Sequence, residues 1–174
     1  SPTDGRILVF PDLQAGALLT VKHSTVALSQ LVVDPDLAAR YAGGCAVILR
    51  LAPADYHRFH FPADGLASAS LTHGSRLHSV HPIALAAGAP SFRNKRAVST
   101  LTSDRFGQLC IVEVGAMVVG TIVQTYAPGP VARGQEKGTF RFGGSTVVVL
   151  AEPGRLRFDP DLVDASADGL ETFV

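Results

Sequence analysis

The sequence predicts a mainly β domain, closed or sandwich-like, with a few short helices. Three observations predict it. The apolar runs are short, rich in β-branched residues and bounded by Gly, Pro or Asp. Several of them lack polar alternation, so both faces of their strands are expected to be covered. The chain has 174 residues, 47% apolar and 17% charged, which is enough for one domain with a sizeable core and no disulfide or metal staple.

Taken in order, Arg6–Phe10, Cys45–Leu51, Arg96–Leu101, Gln108–Val114, Met117–Gln124 and Thr146–Ala151 are predicted strands, each a β-prone run closed by turn residues. Thr139–Phe142 and Arg155–Phe158 are predicted as shorter strands. One helix is expected around Thr25–Leu31 and a second at Pro35–Tyr41. Asp34-Pro35 is a start signal for the second, because proline suits the first helical turn. Gly43-Gly44 then ends it and turns the chain into Cys45–Leu51. Ala127–Lys137, rich in Pro, Gly and charge, is a predicted surface loop.

Bulk properties narrow the function. Fifteen Lys and Arg balance fifteen Asp and Glu, so the net charge is zero. No basic stripe is present, which argues against a nucleic-acid partner and gives no long-range pull toward an anionic membrane surface. Cys45 and Cys110 stand alone in apolar runs and are expected to be buried free thiols. No run of about twenty apolar residues occurs, so no membrane-spanning helix is expected. No signal peptide is visible, and the chain begins at Ser1 with residues that already look structural, which suggests trimming at the N-terminus. The low charged fraction points to a partner, a membrane or a missing segment over part of the surface.

The residues with chemical potential fall in a few places. Phe142-Gly143-Gly144-Ser145 leads into a valine-rich run, and a serine on a double-glycine turn can be held strained and exposed to reaction. The bland alternative is a tight turn before a core strand. Asp4, then His57 or His60, then Ser145 supply the residue types of a nucleophile triad, in which histidine takes the serine proton and aspartate orients the histidine. A serine hydrolase using Asp4, His60 and Ser145 on an outside substrate is one reading of that set. The two HxxH pairs, His57/His60 and His78/His81, are discounted as zinc sites. Residues three apart point to opposite faces of a regular strand, and Pro53, Pro62 and Pro82 disfavour a helix. His78 and His81 are expected to be hydrogen-bonding or surface histidines. Asp55 is expected to cap a turn or to help orient the Tyr56-His57 segment, and Arg50, Arg58, Lys95 and Arg96 to be solvated surface groups, each able to meet an anionic head group.

Several segments together resemble the phosphatidylserine decarboxylase family. They are Pro2-Thr3-Asp4-Gly5-Arg6-Ile7, the run from Arg50 to His60 (RLAPADYHRFH), Ser79–Leu85, Asn94–Val98, Val114–Gly120 and Lys137–Val148, which contains Gly144-Ser145-Thr146. Order and spacing hold over essentially the whole chain. Departures occur at Val21–Leu28, which keeps only the lysine and leucine of the family's KGxxYSL segment, and at His81 and Met117, where asparagine and threonine are usual.

The resemblance implies a self-cleaving proenzyme. Asp4, His60 and Ser145 would form the self-cleavage triad, the bond cut would be Gly144–Ser145, and His57 would serve the decarboxylation. Residues 1–144 would become a β chain and residues 145–174 an α chain of one catalytic domain. The cofactor would be a pyruvoyl group derived from Ser145, with no metal; it would form a Schiff base with phosphatidylserine and release carbon dioxide to leave phosphatidylethanolamine. The implied partners are the phospholipid, a membrane surface met peripherally on the cytoplasmic face, and the two chains of one precursor, with a homodimer compatible. The family's amphipathic N-terminal helices are expected to have been trimmed, and the apolar, proline-bounded stretch Pro82–Phe92 is a candidate lining for a lipid entrance or, equally, a buried core segment. A pyruvoyl enzyme for another serine-headed lipid or a soluble serine derivative is the neighbouring alternative.

Overall fold

Valine- and isoleucine-rich runs form the centre of the fold, where their branched side chains pack on both faces of a pleated sheet. The computed structural model describes residues 1–14, 18–21, 24–78, 93–116, 121–141 and 145–174. In chain order the elements are β1 (Arg6–Phe10), β2 (Leu18–Val21), β3 (Ser24–Ala27), α1 (Leu28–Val32), α2 (Pro35–Arg40), β4 (Cys45–Leu51), β5 (Arg58–His60), β6 (Gly65–Ala67), β7 (Leu71–His73), β8 (Arg96–Ser103), β9 (Gly107–Val114), β10 (Thr121–Gln124), β11 (Gly129–Val131), β12 (Glu136–Arg141), β13 (Ser145–Ala151), α3 (Pro160–Ala167) and β14 (Thr172–Phe173).

The large sheet runs β11-β6-β8-β9-β13-β4-β1-β14, with β7 also on β8. A small sheet runs β10-β12-β5, and β2 and β3 make a hairpin. The pairings are antiparallel, and the sheets are not closed into a barrel. One face of the large sheet, with Leu8, Ile48, Val112, Val148 and Leu150, is covered by Leu31, Val32 and Tyr41 from the helical segment. The other face, with Leu49, Leu51, Ile111, Val147 and Val149, is covered by Phe59 and Phe140 of the small sheet. This two-sided burial is why β13 has no polar alternation. Full burial of each apolar side chain of this size is worth about 1.5–3 kcal/mol, so the Val147–Leu150 stretch holds β13 in place without help from its ends.

The strands Arg6–Phe10 and Cys45–Leu51 have the expected bounds, and β8, β9, β12 and β13 differ from expectation by a few residues at most. Asp34 caps α2 by accepting from the amides of Asp36 and Leu37 at 2.9 and 3.0 Å. Three expectations are corrected. Ser24–Ala27 pairs as a strand, so the helix expected at Thr25 begins only at Leu28; Ser24, Thr25 and Val26 suit a hairpin better than a helix. Arg155–Phe158 joins no sheet among the described residues; Leu156 and Phe158 share one side and pack on the core, so their spacing reflects burial rather than pairing. Ala127–Lys137 is not all loop, since β11 pairs with β6 and β12 starts at Glu136. Of the strand expected at Met117–Gln124, Thr121–Gln124 is observed and the rest lies outside the described residues, as do Pro82–Phe92, His81, Gly143 and Gly144.

Cys45 and Cys110 are buried free thiols. No helix among the described residues is long and apolar enough to cross a membrane.

Candidate active site

Antiparallel pairing brings distant parts of the chain to one end of the large sheet. Arg6, the first residue of β1, lies opposite Arg50 near the end of β4. Ser145, the first residue of β13, lies opposite Leu51, the last residue of β4. Thr146 lies opposite Val114, the last residue of β9. The segment before β1 with Asp4, the segment after β4 with Asp55 and His57, and Ser145 therefore gather at the same end.

Glycine makes the first approach possible. Gly5 has φ +136°, and a Cβ there would stand 2.6 Å from the Arg50 carbonyl oxygen. The Asp4-Gly5 corner thus lies flat against the end of β4, with the Asp4 side chain exposed. Two further bonds tie this corner to the histidine strand. The His60 amide donates to the Pro2 carbonyl at 2.7 Å, and Thr3 Oγ1 donates to the Arg58 carbonyl at 3.2 Å.

β5 lies on β12, with Arg58 opposite Thr139 and Phe59 opposite Gly138. Gly138 is required here, because a Cβ would meet the Phe59 ring at 2.6 Å. His57 is half-buried, and its Nδ1 lies 2.6 Å from the Asp55 carbonyl. A carbonyl only accepts, so Nδ1 is the donor in this contact. Asp55 serves as the expected cap: its Oδ2 accepts from the Ala52 amide at 2.6 Å. The His60 ring stacks on Tyr56, with centroids 5.9 Å apart and planes 10° from parallel.

Ser145 is 1% exposed, and its Oγ finds no hydrogen-bond partner among the described residues. The register brings the segments that carry Asp4 and His57, and the head of β13 with Ser145, to one end of the large sheet, and the His60 amide is bonded to Pro2 in the Asp4 segment. The structure shows no hydrogen bond among the side chains of Asp4, His60 and Ser145 in the described residues. No group of three or more His, Cys, Asp or Glu side chains able to hold a metal ion occurs among the described residues.

Two arginines are not the solvated groups expected. Arg50 makes a two-pronged ion pair with Glu171, Nε to Oε1 at 2.7 Å and the second nitrogen to Oε2 at 2.5 Å. This pairing holds the Arg50 guanidinium above its ordinary proton affinity, against its partial burial. Arg96 is buried and donates to the carbonyls of Leu31, Gln30 and Asn94, so it secures the end of α1. Arg58 remains exposed and pairs with Glu136 at 2.6 Å.

Sequence reasoning missed two supporting groups. Asn94, fully buried, accepts from the His78 amide at 2.6 Å and donates to the carbonyls of His78 and Gly115 at 2.9 Å each, which pins the chain just beyond β9. Glu113 and Lys137 form a buried ion pair at 2.7 Å. The signal for Glu113 was in view, as a single carboxylate inside the apolar Gln108–Val114 run; Lys137 was hidden by its place at the end of a polar stretch.

Comparison with known proteins identifies the family of the chain. The family model described as phosphatidylserine decarboxylase matches residues 1–167. Phosphatidylserine decarboxylase proenzymes are among the similar curated proteins: that of Chlamydia trachomatis serovar L2 is 49% identical over 174 residues, which are 99% of this chain and 58% of that protein. That of Chlamydia muridarum is likewise 49% identical over 174 residues, with the same shares. That of Desulfitobacterium hafniense strain Y51 is 45% identical over 173 residues, 98% of this chain and 58% of that protein. The chain thus spans about 58% of the length of these curated relatives.

Proposed function

As the chain belongs to the phosphatidylserine decarboxylase family, we propose that it cuts itself at Gly144–Ser145 and then decarboxylates phosphatidylserine to phosphatidylethanolamine. The observation that carries this is Ser145: a 1% exposed hydroxyl, unpartnered among the described residues, at the head of a central strand and at the end of the sheet where the segments that carry Asp4 and His57 gather. In the uncut chain a serine so buried is poorly placed for an outside substrate, which disfavours a hydrolase that works without scission. Of the two peptide bonds that flank it, the preceding one, Gly144–Ser145, has its carbonyl carbon in reach of Oγ through a five-membered ring.

In the proposed self-cleavage His60, oriented by Asp4, takes the proton of Ser145 Oγ. The oxygen attacks the Gly144 carbonyl carbon, and the C–N bond breaks to give an ester and a free amine on residue 145. Elimination breaks the Cβ–O bond, releases Gly144 as a carboxylate and leaves dehydroalanine. Water then converts this to a pyruvoyl group with loss of ammonia. The residues fit that group: the only side-chain polar atom at position 145 makes no hydrogen bond to a described residue, so its conversion strands no partner there. The buried valines of β13 keep residues 145–174 bound after scission.

A pyruvoyl carbonyl supplies an electrophile for the substrate amine and a sink for the electrons left by departing carbon dioxide. His57 supplies the proton to the carbon that loses carboxylate, and its Nδ1 bond to the Asp55 carbonyl orients the ring. Tyr56, exposed next to His57, is an apolar contact at the site. With zero net charge, the proposed membrane contact is peripheral and apolar, on the cytoplasmic face.

The experiment is intact mass under denaturing conditions, together with carbon dioxide release from phosphatidylserine in mixed vesicles. Two chains split at 144/145, one bearing a carbonyl at its N-terminus, are expected with activity toward phosphatidylserine. One intact chain, or a cut chain inert toward that lipid but active on a soluble serine derivative, would overturn the reading.

A further inference from the structure

Glu113 and Lys137 are both fully buried, with Lys137 Nζ 2.7 Å from Glu113 Oε1. That contact is one of charge rather than an aligned hydrogen bond. Gln124 completes the cluster: its Nε2 donates to Glu113 Oε2 and its Oε1 accepts from Lys137 Nζ, each at 3.0 Å. The ammonium also faces the rings of Tyr126, Phe59 and Phe61, at 5.0, 5.7 and 5.9 Å from their centroids. Burial raises the Glu113 carboxyl above its ordinary proton affinity, and Lys137 and Gln124 pull it back. Ion pairs taken wholly out of water are often no more stabilising than apolar residues of the same volume, so stability alone does not account for this cluster.

Its place in the fold does. Glu113 is on β9 of the large sheet, whereas Gln124 and Lys137 are on β10 and β12 of the small sheet. Val147 lies opposite Glu113 and Thr146 opposite Val114, so Ser145 and Glu113 share a face at diagonal positions. Diagonal neighbours across an antiparallel pair are about 7 Å apart. Lys137 stands four residues before Arg141, the last residue of β12. Residues 142–144 are the covalent link from there, in one sheet, to Ser145, in the other. Three intervening residues let Arg141 and Ser145 lie at most about 14 Å apart, so the spacing of the two sheets here is bounded by chain connectivity.

We infer that the Glu113–Gln124–Lys137 cluster is a clamp that fixes the spacing of the two sheets at this link, which makes Glu113 and Lys137 positioning residues for the cut at Gly144–Ser145. The inference rests on the self-cleavage reading above. Attack by Ser145 Oγ on the preceding carbonyl closes a five-membered ring, and a misplacement of about 1 Å in such a step costs on the order of a hundredfold in rate. All three residues lie upstream of the cut. The clamp therefore also keeps the small sheet, with His57 and His60, fastened to the large sheet once the link is broken.

The test follows cutting of the full chain made by cell-free translation, by denaturing gel and intact mass. Each variant is also made on a Ser145→Ala background, where the melting temperature of the uncut protein is read. Glu113→Leu with Lys137→Met is expected to melt within about 5 °C of its parent, because both charges are removed together. It is expected to cut at least about tenfold more slowly. Gln124→Met keeps the ion pair, loses two hydrogen bonds to buried charged groups, and is expected to cut about threefold more slowly and to melt a few degrees lower. A purely stabilising role would move the melting temperature and leave the cutting rate of folded protein alone. Folded variants that cut at the parental rate overturn the clamp; should the double variant not fold, the Gln124→Met rate decides in the same way. A parent chain that never cuts overturns the self-cleavage reading and the clamp with it, whereas a parent that cuts beside unslowed variants sinks the clamp alone.

Discussion

The backbone amide of His60 donates to the carbonyl of Pro2 at 2.7 Å. This one bond fastens the histidine strand β5 to the segment that carries Asp4, although 58 positions separate the two residues. With Gly5 against Arg50 and Ser145 opposite Leu51, it builds the candidate site from backbone contacts. Side chains at that end are then placed by strands rather than by loops, which favours precise geometry.

The two histidines are expected to separate on mutation. Ser145→Ala and His60→Ala should each leave one uncut chain, since the first removes the nucleophile and the second its base. His57→Ala should cut normally and lose on the order of a hundredfold in decarboxylation kcat. Intact mass and carbon dioxide release on the same preparations check this; an uncut His57→Ala chain would reassign that residue to self-cleavage.

Gly5→Ala is expected to destabilise the fold by about 1–3 kcal/mol, because φ +136° is closed to alanine and its Cβ would stand 2.6 Å from the Arg50 carbonyl oxygen. Urea unfolding of the Ser145→Ala form with and without the change measures it. Cutting should slow as well, since Asp4 is carried by the same corner.

Asn94→Ala leaves the His78 amide and the His78 and Gly115 carbonyls without their partner. A loss of about 2–4 kcal/mol is expected from those groups. Because Gly115 follows β9 beside the head of β13, the rate of cutting should fall as well in whatever protein remains folded; gel time courses at equal folded concentration would show it.

Burial pushes the Cys45 thiol up to about 11 from 9.0, and raises Cys110 and Tyr41 too, desolvation being the largest cause for all three. A folded-state value above the unfolded one means that the fold binds the proton more tightly. The corresponding stability is complete below the unfolded value of 9.0 and is lost as pH climbs through about 11 for Cys45. Denaturant midpoints measured from pH 8 to pH 11 should therefore fall, and less steeply in Cys45→Ala. Both thiols should resist a thiol reagent at pH 8 until the protein is unfolded.

Local signals made much of this protein legible. β1 and β4 are β-branched runs with turn residues at both ends, so their bounds could be read directly. The helix at Pro35 was legible because Asp34 is a good cap. Ser24–Ala27 was not, since four residues of hairpin carry little periodicity and the pairing partner decides them. Arg155–Phe158 misled because spacing reports which side is buried and not whether a backbone partner exists.

By itself the sequence determined the class of fold, the family through its DYHRFH and GGST segments, and the residue types able to do the chemistry. Only the tertiary structure decided that the segment before β1, the end of β4 and the head of β13 lie at one end of the sheet, that the Ser145 hydroxyl is buried without a described partner, and that Glu113 and Lys137 face each other away from water. The reason is physical. A residue's type and its immediate neighbours fix its local conformational preference, but antiparallel register joins strands far apart in the chain. Whether a charge is solvated or paired depends on what packs over it.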